Sequence, residues 1–200
     1  MSGETVTLAR ASAPRQPGGR EPAPGQLALV QAFINSHFDI EAHKGADLFA
    51  SPQGLRDWLL ARDLIGVDDQ VGTADLTNAL TVRESLRALA AGSSDGIATA
   101  ALNTAATGAA VEVRFTRNGP RFVPHEPSTT ANALGLILAL VAAAMIDGTW
   151  SRLKICPGDH CGWAFFDNSR NQTGRWCSMS LCGGRSKARA HYRRTRGGGD

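Results

Sequence analysis

The chain has 200 residues, 42% of them hydrophobic, enough to build a buried core in one or two domains. The formal net charge of +3 conceals an asymmetry: residues 151–200 hold ten Lys/Arg against three Asp/Glu, while residues 1–150 hold eleven against fifteen. A basic C-terminal quarter on a mildly acidic body disfavours an acidic-tail protein and points to a polyanion partner, most often nucleic acid, or else to a solubilising basic tail.

In chain order, residues 1–25 read as a disordered tail. Pro14, Pro17, Pro22 and Pro24 alternate with glycine and charge, and no apolar core of a secretion signal is present. Residues 26–150 read as one mostly helical domain. Leu27, Val30, Phe33 and Ile34 fall at helical spacing. Ser51-Pro52 is a helix start, with Leu55, Trp58, Leu59 and Ile65 as its apolar stripe and Gly66 as its stop. Residues 73–91 form a second amphipathic helix with Leu76, Ala79, Leu80, Leu86 and Ala90 on one side, and 97–106 a weaker, alanine-rich one. Val111, Val113 and Phe115 alternate with Glu112 and Arg114. With Asn118-Gly119 as turn and Phe122 and Val123 beyond it, they predict a hairpin that Pro120 keeps open or at an edge. Residues 129–147 are apolar nearly all round, the mark of a buried central helix. The run from Ala133 to Ile146 is shorter than the roughly 18 to 20 residues of a membrane span. A soluble, cytoplasmic protein is the expectation.

Arg83 falls inside the apolar stripe of its helix, with Arg87 one turn on. The pair is a candidate site for an anionic small-molecule effector; an interior ion pair is the commoner role. His37, Asp39, Glu41 and His43 form the one local cluster of metal-type side chains, read as an exposed polar segment. With no nucleophile–base pair and no phosphate loop, the sequence is not expected to encode an enzyme.

All four cysteines lie after position 155, where a spread-out disulfide framework would not put them. The spacing is Cys156-x4-Cys161, fifteen residues, then Cys177-x4-Cys182. Two turns, each presenting two sulfurs, can converge on one tetrahedral Zn(II) ion. Four thiolates close the coordination sphere and leave no place for an activated water, so the ion is expected to be structural. An iron–sulfur cluster is the alternative metal. His160 is read as a bystander. Trp163, Phe165 and Trp176 either form a miniature core over the sulfurs or stack on bases.

After Cys182, the segment from Gly183 to Arg196 reads as a basic helix. At 100° per residue Arg185, Arg189, Arg193 and Arg196 share an arc of about 80°, with Lys187 and Arg194 on the next arc, about 100° or more further round. Ala188, His191, Tyr192 and Thr195 face the other way and could pack on the zinc site. Arginine forks suit phosphate oxygens and guanine edges. Residues 151–196 are therefore expected to be a treble-clef or ribbon-like zinc module with a C-terminal helix, followed by a disordered end at 197–200. The fold class is α+β.

Cys156-x4-Cys161-x-Trp163, Phe166-Asp167-x-Ser169-Arg170-Asn171, Arg175-Trp176-Cys177-Ser178-Met179 and Cys182-Gly183-Gly184-Arg185-x-Lys187 together resemble the CGNR-type zinc finger, with Gly184 where that family has asparagine. Leu27-Ala28-Leu29 through Phe33-Ile34-Asn35 is similar to the opening of ABATE, the domain that usually precedes that finger and is described as a stress-induced transcription regulator. The resemblance implies a bacterial DNA-binding regulator whose helical domain senses an effector or mediates assembly, such as a homodimer. Arg170, Arg175, Arg185, Lys187, Arg189 and Arg193 are the candidate nucleic-acid contacts. DNA is favoured; an RNA-binding or ribosome-associated zinc-ribbon protein is the alternative.

Overall fold

A computed structural model describes residues 16–37, 47–125 and 129–196. Among the described residues five α-helices precede the cysteines: α1 (Leu27–Ile34), α2 (Pro52–Leu60), α3 (Thr73–Ala90), α4 (Ile97–Ala106) and α5 (Thr130–Ile146). Between α4 and α5 lies an antiparallel hairpin, β1 (Val111–Thr116) with β2 (Gly119–Pro124). A second hairpin, β3 (Leu153–Ile155) with β4 (Ala164–Phe166), opens the cysteine module, and α6 (Gly184–Arg196) ends it. The arrangement is α+β. Among the described residues no helix is long and apolar enough to cross a membrane.

Local chemistry sets the helix starts. Ser51 Oγ accepts from the Gly54 amide at 3.1 Å, and Thr129 Oγ1 from the Asn132 amide at 3.1 Å. The Asp75 carboxylate accepts from the Gly72 amide at 2.8 Å. The first hairpin turns through Arg117-Asn118, one residue earlier than expected, and Gly119 follows at φ +103, where glycine alone is unstrained.

The apolar faces of α1, α2, α3 and α5 meet in one core. Phe33, Phe49 and Trp58 form an aromatic triad with ring centroids 5.5 to 5.6 Å apart. α5 is buried along most of its length. Its Gly135 is required by a neighbour: a Cβ there would lie 2.6 Å from Ala109 Cβ, so glycine lets the chain entering β1 rest on the helix. Asn132 ties both ends of the first hairpin to α5. It accepts from the Ala110 amide at 2.9 Å and donates to the His125 carbonyl at 3.2 Å.

The same core runs on into the cysteine module: Leu153, Ala164 and Phe166 of the second hairpin are buried in it. Polar contacts reinforce the join. Asn35 Nδ2 donates to the Ala164 carbonyl at 2.8 Å while its Oδ1 accepts from the Ala164 amide at 2.7 Å, so one side chain on α1 extends the β4 ladder. The module is thus continuous with the helical body rather than hung from it.

The tail expectation needs correction. Residues 16–25 are placed, with Gln16, Pro17 and Ala23 buried. Gln16 Oε1 accepts from Gln31 at 2.9 Å and from the Trp163 indole at 3.1 Å. Composition implied disorder because the segment has no core of its own; the surface of the cysteine module supplies its partners. Residues 1–15 and 197–200, and with them Asp39, Glu41 and His43 of the polar cluster, lie outside the described residues. His37 meets Asp47 at 3.1 Å.

Candidate metal centre and nucleic-acid interface

Each cysteine pair sits on a turn that its own sequence builds. Cys156 directly follows β3, with its amide donating to the Trp163 carbonyl at 2.9 Å. The chain then reverses so that the Cys161 amide reaches the Gly158 carbonyl at 2.9 Å, and Gly162, at φ +58, leads into β4. Gly158 has to be small: a Cβ would lie 3.1 Å from Cys182 Sγ and 3.3 Å from Cys161 Cβ. On the other side Ser178 caps the wide helical turn Met179–Gly183, its Oγ accepting from the Leu181 amide at 3.3 Å. Cys182 lies in that turn, just ahead of α6. A hairpin whose knuckle faces the first turn of a helix is the treble-clef arrangement.

The four sulfurs lie within 4.8 Å of one another, and Cys161–Cys177 and Cys177–Cys182 are both 3.6 Å apart. A tetrahedral ion with Zn–S bonds of about 2.3 Å requires S···S edges of about 3.8 Å. The cage therefore fits a single ion; a cluster holding several iron atoms between the sulfurs would spread them further. Without a cation the sulfurs cannot all be thiolates. Hydrogen bonds to the Cys156 sulfur push the Cys161 thiol up to about 12, Cys177 is driven upward as well, and burial adds to both. A divalent cation reverses that balance, because the thiolates then face opposite charge. His160 is exposed and outside the cage. This is the site of one structural zinc ion.

The module has its own small core. Trp163 and Phe165 are buried against the cysteines, and Trp176 is half-buried. A residue missed from sequence organises the connector. Asp167 is fully buried, and its carboxylate accepts from Lys154 Nζ at 2.7 Å, the Gly174 amide at 2.8 Å and the Ser169 amide at 3.0 Å. Burial alone would raise its pKa; the bonds from Lys154 and Ser169 overcome it and hold the carboxyl well below the usual range. Gly174 is fitted to this carboxylate, since a Cβ would come within 2.7 Å of it. The Asp-x-Ser spacing was the legible signal of such a turn.

Arg20, another residue missed, clamps the second cysteine turn. It donates to the Cys177 carbonyl at 2.7 Å and the Trp176 carbonyl at 3.1 Å, with its guanidinium 5.1 Å from the Phe165 ring centre. No sequence signal links it to cysteines more than 130 residues away.

The candidate basic residues divide. Arg185, Arg189 and Arg193 line one groove with Trp176, Cys182 and the Pro157–Asp159 knuckle. Arg175 is exposed beside it, 5.7 Å from the Trp176 ring centre. Lys187 is exposed on α6 but does not line the groove. Arg170 is exposed on the connector loop at the far end of the hairpin, away from the groove. Arg189 pairs with Asp159, a groove residue the sequence reading had not singled out. The face of α6 expected to pack on the zinc site is instead exposed at Ala188, His191, Tyr192 and Thr195.

Arg83 and Arg87 serve the architecture. Arg83, 3% exposed, holds both oxygens of Asp47 at 2.7 and 2.8 Å and reaches Glu84 at 2.8 Å. Arg87 donates to the Gly162 carbonyl of the zinc knuckle and to the Ile34 carbonyl of α1, each at 2.6 Å. Neither lines the groove.

Two family models match the chain. Residues 152–195 are similar to the CGNR zinc finger. Residues 25–148 are similar to the ABATE domain, described as "Putative stress-induced transcription regulator". No curated protein matches the sequence.

Proposed function

Since the chain belongs to the ABATE family and carries its zinc finger, we propose that it is a DNA-binding transcription regulator, a binding protein rather than an enzyme, that meets its target through the groove beside the zinc knuckle. The observation that carries this reading is the alignment of Arg185, Arg189 and Arg193 on one wall of that groove. Their guanidinium groups match phosphate oxygens and guanine edges. The zinc ion's part is to hold the second cysteine turn, and so the start of α6, in register with the knuckle. Arg20 and Arg87 brace that same unit from the helical body. The Arg189–Asp159 pair fits the role. Both groups are about half exposed (48% and 57%), so their attraction is weak and a phosphate can displace the carboxylate.

Fluorescence anisotropy with a labelled DNA duplex, across a salt series and with and without chelator, tests the reading. Binding should weaken steeply with salt, with each phosphate contact adding about 0.9 to the log–log slope. Binding should fall at least about tenfold in an R185Q/R193Q variant and rise several-fold in D159N, which frees Arg189. Absence of salt-sensitive duplex binding would sink the proposal. Preference for structured RNA in competition would move it to the RNA reading.

A further inference from the structure

We propose that the β1–β2 hairpin is a second nucleic-acid contact, acting with the zinc module on the same duplex. The inference rests on the function proposed above and extends it to a part of the helical domain. Residues 111–125 carry Arg114, Arg117 and Arg121 against one acid, Glu112, in a body that is otherwise acidic. All three arginines are exposed. Arg114 and Arg121 are directly opposed across the strands, an arrangement of like charges that destabilises a hairpin unless an anion lies between them. Glu112 supplies little relief. It is shared between Arg114 at 3.3 Å and His125 at 3.4 Å, and both pairs are solvent-exposed. The helix beneath, α5, carries no acidic residue from Thr130 to Ile146. Among the described residues of the hairpin and of α5, Glu112 alone answers three arginines, and the complement of that excess is a polyanion.

The other face of the hairpin supports the same partner. Val111 and Phe122 pack on the core, but the strands run past it and leave Phe115 86% exposed near the tip, next to Arg114 in sequence but on the opposite face. An apolar side chain next to arginines is the equipment with which proteins enter a minor groove and press on a base step. The mounting also suits joint use. Gln26, at the start of α1, donates to the Phe122 carbonyl of β2 at 3.2 Å; Asn35, at its end, holds Ala164 of β4. Nine residues of helical rise put these attachments about 13 Å apart. One helix therefore carries both hairpins.

The test is the salt dependence of duplex binding by the full zinc-loaded chain and by an R114Q/R117Q/R121Q variant, with circular dichroism and zinc content checked on both. The expected result is a log–log slope lower by about two to three and an affinity at 100 mM salt lower by at least about tenfold. The matching triple lysine variant should keep most of the binding, because phosphate contacts need charge more than a guanidinium fork. Unchanged slope and affinity in a folded triple glutamine variant would overturn the inference while leaving the zinc-module reading intact. So would a variant that changes only the sedimentation coefficient, which would make the hairpin a contact between two copies of the chain. Failure of the parent chain to bind duplex at any salt would remove both proposals.

Discussion

Asp167 shows how much one buried carboxylate can hold in place. It satisfies Lys154 and two amides of the connector, and the loop from Asp167 to Gly174 has no apolar core to replace it. Asp167→Asn keeps the shape but leaves Lys154 without its counter-charge, and is expected to cost about 2 to 4 kcal/mol in urea denaturation. A cost under about 0.5 kcal/mol would show that the loop is held otherwise. The pH dependence has a definite sign. Asp167 and Asp47 both have folded pKa values below the ordinary carboxylate value near 4, Asp47 chiefly through Arg83 and His37 acting against burial. Their contribution is fully present above that value and is lost as the pH falls from there toward the depressed folded values. Stability measured at pH 3 should fall below that at pH 6, and the Asp167→Asn variant should show a smaller fall. Gly184 is a quieter case. It replaces the family's asparagine at an exposed, ordinary helical position (φ −62), and a Cβ there would have only the Met179 carbonyl oxygen nearby, at 3.6 Å. The backbone therefore has room for the family residue.

At the scale of elements, α1 is the strut on which the parts meet. Its apolar side feeds the core, Gln26 holds the first hairpin, and Gln31 and Asn35 hold β4. Because Asn35 pairs with both the amide and the carbonyl of Ala164, Asn35→Ala strands the buried Ala164 amide and leaves the carbonyl to Gln31 Nε2 alone. A loss of about 2 to 4 kcal/mol is expected by chemical denaturation, with faster release of zinc to a competing chelator. A loss of stability with unchanged zinc release would mean that α1 does not govern the knuckle. The helices themselves were legible. Ser51-Pro52 announced one start, and the 3.6-residue stripes announced the buried faces, because capping and amphipathicity are local properties of a segment. The joins between elements were not legible. Asn35 and Arg87 read as ordinary helix residues, and the carbonyls they seek lie 129 and 75 positions along the chain.

For the whole molecule, the expected consequence is a single cooperative unfolding unit. Leu153, Ala164 and Phe166 belong to the zinc hairpin and to the helical core at once. Removing the metal under reducing conditions should therefore lower the melting temperature of the entire chain by about 10 °C or more as a single transition. Differential scanning calorimetry with and without chelator checks this. Two separate transitions, with the helical one unmoved, would show that the shared core does not couple the two parts. Coupling of this kind is what a regulator needs if a change in its helical body is to reach the groove on α6.

By itself, the sequence determined the four metal ligands and the ladder, while the sulfur–sulfur distances decided for one ion over an iron–sulfur cluster: cysteine spacing dictates four sulfurs on two turns, and the arginine spacing dictates a basic stripe, since both depend on residues near one another in the chain. It also determined the helices, the hairpin and the family resemblance. Only the tertiary structure decided that residues 16–25 belong to the fold, that Arg83 and Arg87 are structural braces, that Arg170 stands apart from the groove, and that Asp159 guards it. All but the place of Arg170 turn on a partner distant in sequence, and a hydrogen bond or ion pair of that kind leaves no periodicity for a reader of the chain to find.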